Sequence, residues 1–238
     1  MFLLIRKRRI LSGLLVAALL LSFSAAVRFY KTAAVFRPEG DSAEVVIDPG
    51  HGGVDGGAVA ADGTIESGIN LAVALTLKEL FLLFGTEPVM TRETDISIHD
   101  AEADTIARKK VSDLHNRVAL ANGETGAVLI SIHQNSLPTA PSVCGAQVFF
   151  NDVAGAEPLA GSVQAALNTL VNANKPKHEK NAPSTIYLMQ HPEIPAILVE
   201  CGFLSNPHET TLLKTQSHQL RLAVAVLCGY YAKEDIQS

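Results

Sequence analysis

The chain has 238 residues, of which 47% are hydrophobic and 18% charged, with a net charge of -5. That much apolar material builds a sizeable core and excludes a disordered chain. Lys and Arg form no long run beyond the extreme N-terminus, so nothing marks a nucleic-acid partner. Three cysteines, Cys144, Cys201 and Cys228, are too few for a disulfide framework and read as buried free thiols.

Arg6-Lys7-Arg8-Arg9 precede an uncharged apolar stretch from Ile10 to Val27. This pattern reads as a signal peptide or an uncleaved membrane anchor over residues 1–27, with an exported remainder. Ser24, Ala25 and Ala26 supply small residues for cleavage. Residues 28–43 read as a linker and 44–235 as one catalytic domain, with no second domain after it.

In chain order, Val45-Val46-Ile47 predicts a strand ending at Asp48-Pro49-Gly50, and Ile69 to Phe84 a helix stopped by Gly85. Val89-Met90 is a short strand. Leu114 to Asn122 is a helix with Ser112 as its N-cap. Val128 to Ile132 is a continuous apolar run, the mark of a strand buried on both faces. Strands then follow over Ala146–Phe150, Ile186–Met189 and Ile197–Val199, with helices over Leu159–Val171 and Gln219–Ala232. The alternation predicts an α/β fold: a single domain with a twisted, mostly parallel sheet of about six strands and helices on both faces. Ligands of such sheets bind beyond the carboxyl ends of the strands.

Polar groups follow three apolar strands at that edge: His51 after Val45–Ile47, His133 after Val128–Ile130, and Glu200 after Ile197–Val199. Glu66 stands near the start of the long helix. Two imidazoles and a carboxylate hold Zn²⁺ with one position open for water, and a second carboxylate can move the proton. His51, His133, Glu66 and Glu200 supply that set. Taken singly, each is also an ordinary strand-end or helix-end residue. Other motifs fail: the third glycine of a dinucleotide fingerprint begun at Gly50 is Asp55, and His208-Glu209 is followed by Leu212 where H-E-x-x-H needs His. No phosphate-binding loop and no G-x-S-x-G elbow occur. His99, His115, His178, His191 and His218 have no ligand context.

Five ordered segments carry a resemblance: Val46–Gly53, Glu66–Leu71, Thr91-Arg92, Ser131–Ser136 and Val199–Asn206. Together they resemble the zinc-dependent N-acetylmuramoyl-L-alanine amidases from about Glu44 to Ala232. The resemblance implies His51, Glu66 and His133 as zinc ligands and Glu200 as the catalytic carboxylate. It implies hydrolysis of the amide between muramic acid and L-alanine, with peptidoglycan as substrate. Thr91–Asp95, Ala107–Leu114, Asn116–Val118 and Cys144–Phe150 are similar to the germination-specific, spore-cortex branch of that family, the CwlD type. That branch implies action on the cortex side of the developing spore, for muramic-δ-lactam formation and germination, and a membrane-tethered activating partner. The competing readings are a vegetative wall amidase, a zinc peptidase of the peptide stem, and an inactive peptidoglycan-binding module. One departure stands out. Where the family carries an Arg before the fifth strand, Asn174-Lys175-Pro176-Lys177-His178 offers only lysines, which lack the bidentate fork. Arg92 and Arg117 remain candidates for substrate carboxylates, against internal salt bridges.

Overall fold

The computed structural model describes residues 43–172 and 175–232. By its contacts the chain divides into Met1–Asp41 and Ser42–Ser238, and the described residues all belong to the second unit. The leader and nearly all of the linker expected over 1–43 therefore lie outside the described residues, as do 233–235. No described helix is long and apolar enough to cross a membrane.

Six strands form one sheet in the order β2-β1-β3-β6-β4-β5. They are β1 (Val45–Pro49), β2 (Val89–Met90), β3 (Val128–Asn135), β4 (Gln147–Phe150), β5 (Lys180–Asn181) and β6 (Ala196–Phe203). All neighbours pair in parallel except β4 and β6. The helices are α1 (Glu66–Leu83), α2 (Ile106–Gly123), α3 (Ala156–Leu170), α4 (Tyr187–Gln190), α5 (Pro207–Leu213) and α6 (Gln216–Ala232).

Strand alternation splits the core in two. Val45 and Ile47, Val128, Ile130 and Ile132, and Ile197, Val199 and Cys201 join one apolar cluster with residues of α1, α3 and α6. Val46, Leu129, Ala196 and Leu198 join the other, with Val118 and Ala121 of α2 and Leu188 and Met189 of α4. The central strands are thus buried on both faces, which their unbroken apolar runs required. The expected helix stop is also present. Gly85 adopts φ 88°, its N–H donates to Leu82 O, and Thr86 N–H donates to Phe81 O. This is the double closure of a Schellman motif.

Several boundaries differ from expectation, each for a local reason. Helix α1 begins at Glu66, three residues early, because backbone carbonyls of Ala58 and Gly56 accept the N–H groups of Glu66 and Ser67 in place of a side-chain cap. Helix α2 begins at Ile106, capped by Thr105, whose hydroxyl accepts from Arg108 N–H at 3.2 Å. Its first turns leave Ile106 and Val111 exposed, so no apolar stripe announces them. Ser112, expected as the cap, instead donates to Asp100 at 2.8 Å. The strand expected over Ile186–Met189 is the single helical turn α4. A run of four apolar residues carries no period to decide between the two. Helix α5 follows Asn206, whose side chain accepts from His208 and Glu209 N–H, with Pro207 in the first turn. Of the thiols, Cys201 is buried, whereas Cys228 is exposed and Cys144 half-buried.

Candidate metal centre

The central parallel strands β1, β3 and β6 deliver their polar groups to one edge of the sheet. Asp48 pairs with Ser131 and Pro49 with Ile132 in register, so Gly50 and His51 leave β1 beside His133. His133 in turn stands opposite Glu200 on β6. The first turn of α1 brings Glu66 to the same edge.

Glu66 is the hub. Its Oε1 lies 3.0 Å from His133 Nδ1 and 3.4 Å from His51 Nε2. The same oxygen accepts from Gln134 N–H at 3.0 Å and Asn70 Nδ2 at 3.2 Å, while Oε2 accepts from Ala58 N–H at 2.8 Å. The two imidazoles meet edge to face with centroids 4.9 Å apart. One donor atom from each of His51, Glu66 and His133 lies within 4.8 Å of the others, a group that could hold a metal ion. A tetrahedral zinc with bonds of about 2.0–2.1 Å needs donors roughly 3.3 Å apart. The two contacts to Glu66 bracket that spacing, and two imidazoles with a carboxylate suit zinc in their chemistry.

The loop carrying His51 is held in a costly conformation. His51 itself has φ 62°, unusual for any residue but glycine. Gly50 must be glycine because a Cβ there would meet His133 Nε2 at 2.2 Å. Two buried arginines brace this loop. Arg92 donates to the carbonyls of Pro49, Gly50, Ser67 and Thr94 at 2.9–3.0 Å. Arg117 donates to Pro49 O at 2.9 Å and His51 O at 2.7 Å, and pairs with Asp48 at 2.5 Å and Asp113 at 2.6 Å. Both are committed inside the protein, which answers for them the question the sequence left open. Burial presses the Asp48 carboxyl upward. The charge of Arg117 and hydrogen bonds from Thr91 and Ser131 overcome it and hold the pKa below the usual range.

Asp55 is a residue of this site that sequence reading missed. Its Oδ2 lies 2.9 Å from His51 Nδ1 and its Oδ1 2.8 Å from Lys110 Nζ. With a metal bound, a carboxylate in this place would keep the proton on Nδ1 and leave Nε2 as the ligand. The available signal was an Asp four residues after a strand-end His in a glycine-rich turn. Burial lowers the His51 pKa, but Glu66 and Asp55 outweigh it and lift it to about 9.

Glu200 differs in kind from Glu66. Its Oε2 is buried and has no hydrogen-bond partner among the described residues. Burial lifts its pKa to about 7, against the attraction of His133 and with the repulsion of Glu66. Beyond the site, the other histidines hold no cluster of ligands among the described residues. His115 and His191 stack on Tyr187, His99 bonds Ser97, and His218 is buried. Lys177 of the lysine segment donates to Gly145 O at 2.6 Å and sits 4.7 Å from the centroid of the Phe203 ring. A cavity of about 310 Å³ opens beside the donor trio. His51, His133, Asp55, Lys110, Leu114 and Tyr187 are among its walls.

The family described as N-acetylmuramoyl-L-alanine amidase matches residues 45–230. The germination-specific N-acetylmuramoyl-L-alanine amidase of Bacillus subtilis (strain 168) is 36% identical over 186 residues, covering 78% of this chain and 77% of that protein. The CwlD amidase from Clostridioides difficile, solved in complex with the GerS lipoprotein, superposes with a TM-score of 0.77 at 33% identity. That match covers 81% of this chain and 98% of the other. The catalytic domain of CwlV, an amidase of the same name from Bacillus (Paenibacillus) polymyxa var. colistinus, superposes with a TM-score of 0.67 at 26% identity. It covers 81% of this chain and 98% of its own.

Proposed function

This chain belongs to the N-acetylmuramoyl-L-alanine amidase family, and on that premise we propose that His51, Glu66 and His133 hold a catalytic zinc and that Glu200 moves the proton. The enzyme hydrolyses the amide bond between muramic acid and L-alanine in peptidoglycan. The observation that carries the zinc assignment is the convergence of three nitrogen and oxygen donors within 4.8 Å at the carboxyl edge of the sheet.

A bound Zn²⁺ supplies Lewis acidity towards the carbonyl oxygen and makes water acidic enough to attack at neutral pH. The chain's own residues do the rest. Asp55 keeps the proton on His51 Nδ1, so that Nε2 faces the donor trio. Backbone N–H groups of Ala58 and Gln134 and the amide of Asn70 fix the Glu66 carboxylate. Glu200, unpartnered at Oε2, takes a proton from the attacking water and delivers it to the departing alanine amine. A carboxylate placed beside the reacting atoms can do both.

The wider reading is a role in the spore cortex, outside the cytoplasm, for muramic-δ-lactam formation and germination. It rests on likeness to the germination-specific amidase and to CwlD. The partner of that CwlD is a lipoprotein. An activating, membrane-tethered protein of that kind, together with the apolar leader over residues 1–27, would confine this hydrolase to one surface. No nucleic acid enters the reading. The deciding experiment is mass spectrometry of sacculi digested with and without added zinc. New L-alanine amino termini on uncut glycan strands are expected. New reducing sugar ends, or new D-amino-acid termini, would refute the bond assignment. For the biological role, spores of a deletion strain should form without muramic-δ-lactam, and a normal cortex would refute it.

A further inference from the structure

The cavity beside the donor trio is lined by two cations besides its histidines, Lys110 and Arg117, among the described residues. They are unlike. Arg117 is buried and its guanidinium is consumed by Asp48, Asp113 and the carbonyls of Pro49 and His51. Lys110 projects from α2 with its side chain 48% exposed, and among the described residues its ion pair is with Asp55. The remaining cations of interest are spent elsewhere. Arg92 serves four backbone carbonyls, and Lys177 serves Gly145 O and the face of Phe203. A substrate entering this cavity with a free carboxylate therefore meets one mobile cation. That cation is two hydrogen bonds from the His51 ring, through Asp55.

We propose that Lys110 is a specificity-determining residue that reads a free carboxylate on the peptide side of the scissile amide, turning from Asp55 to that carboxylate as substrate binds. The proposal rests on the amidase reading and deepens it by naming the feature of the peptide stem that is recognised. A flexible ammonium suits this task. It carries three donors on a long stem, so it can keep Asp55 while it gains a second oxygen, or change partners without moving the backbone. Arg117 could not do so, because withdrawing it would strand Asp48 as a buried unpaired charge.

The test uses the zinc-loaded full chain and two short muramoyl peptides. They differ only in a free carboxylate or a carboxamide on the residue that follows L-alanine. The wild type should prefer the acid by about tenfold in kcat/KM, the scale of one charge-assisted contact at a half-exposed position. The preference should lie in KM and shrink as salt is raised. In Lys110→Gln the acid-to-amide ratio should fall to near one, at wild-type zinc content. An unchanged ratio in Lys110→Gln overturns the proposal. A fall in kcat for both substrates with the preference intact overturns it too, because Lys110 would then merely steady Asp55. If the wild type frees no alanine amine from either peptide, the amidase reading fails and the proposal fails with it, an outcome distinct from a lost preference.

Discussion

Replacing Arg117 with Met tests whether the buried ion network holds up the metal loop. Arg117 is 1% exposed, and its loss leaves Asp48, which is fully buried, facing an apolar side chain. Removing one partner of a buried pair costs roughly 3–5 kcal/mol, because a charge is left without compensation. A domain of this size unfolds with a total of about 5–15 kcal/mol, so the variant should lose a large share of its stability. On thermal melting the same loss is about 6–20 °C. The pH dependence gives the sign. In the wild type the Asp48 pKa is held below its unfolded value. Its contribution is therefore present above about pH 4 and lost as pH falls through the lower, folded value. In Arg117→Met, burial is no longer opposed by the guanidinium, and the Asp48 pKa rises above the unfolded value. The variant's deficit should then be largest at neutral pH and narrow towards pH 4. Adding Asp48→Asn to Arg117→Met should recover at least about 1 kcal/mol, since the stranded charge is gone. Urea denaturation at pH 7 and pH 4 measures all of this. A deficit under about 1 kcal/mol at pH 7, or a double variant weaker than the single one, would refute the reasoning.

The remaining predictions concern the centre itself. Glu200→Gln should keep its zinc, read by metal analysis, and lose on the order of 10²- to 10⁴-fold in kcat; loss of the metal instead would make Glu200 a ligand. Asp55→Asn should weaken zinc binding about 10- to 100-fold in competition with a chelating dye, because the charge that orients His51 is gone. Gly50→Ala should abolish zinc binding, since its Cβ would occupy the place of the His133 ring. A chelator should remove activity and lower the melting temperature, with both restored by Zn²⁺; full activity in chelated protein would sink the zinc assignment.

The parts of this molecule that were legible in the sequence are those in which one residue type has one physical use. Unbroken apolar runs at Val45–Ile47 and Val128–Ile132 could serve only strands covered on both faces. Polar groups immediately after such runs had to emerge at the sheet edge, where His51 and His133 now meet Glu66. Elements without an apolar signature stayed hidden. The first half of α2 carries Arg108, Lys109 and Lys110 on a solvated surface, and α4 is a single turn. Arg92 and Arg117 were ambiguous for a different reason. An arginine that reads a substrate and one that satisfies carbonyls look the same in one dimension. What separates them here is burial and the direction of their donors, and both depend in part on contacts 42 residues apart in sequence for Arg92 and 69 for Arg117.

Those long-range contacts also account for an asymmetry between the two carboxylates of the site. Glu66 accepts hydrogen bonds or ring contacts from five groups, which hold its carboxylate in place, and against the cost of burial the His133 and His51 rings depress its pKa far below the usual range. Glu200 sits across the strand from His133 with a buried oxygen that no described residue serves. A carboxylate of the first kind stays ionised and is suited to hold a cation. One of the second kind gains little from keeping its charge, so burial pushes its pKa up. The same fold produces both by a difference in the donors it brings to each acid. The Ala58 turn and the bulge after His133 aim N–H groups at Glu66. Glu200 lies inside β6, where both neighbouring strands have already taken the backbone donors. The division of labour proposed for this centre is therefore set by where each acid sits along its element, and Glu200→Asp should lower kcat through lost reach while zinc content, read by metal analysis, stays at the wild-type level.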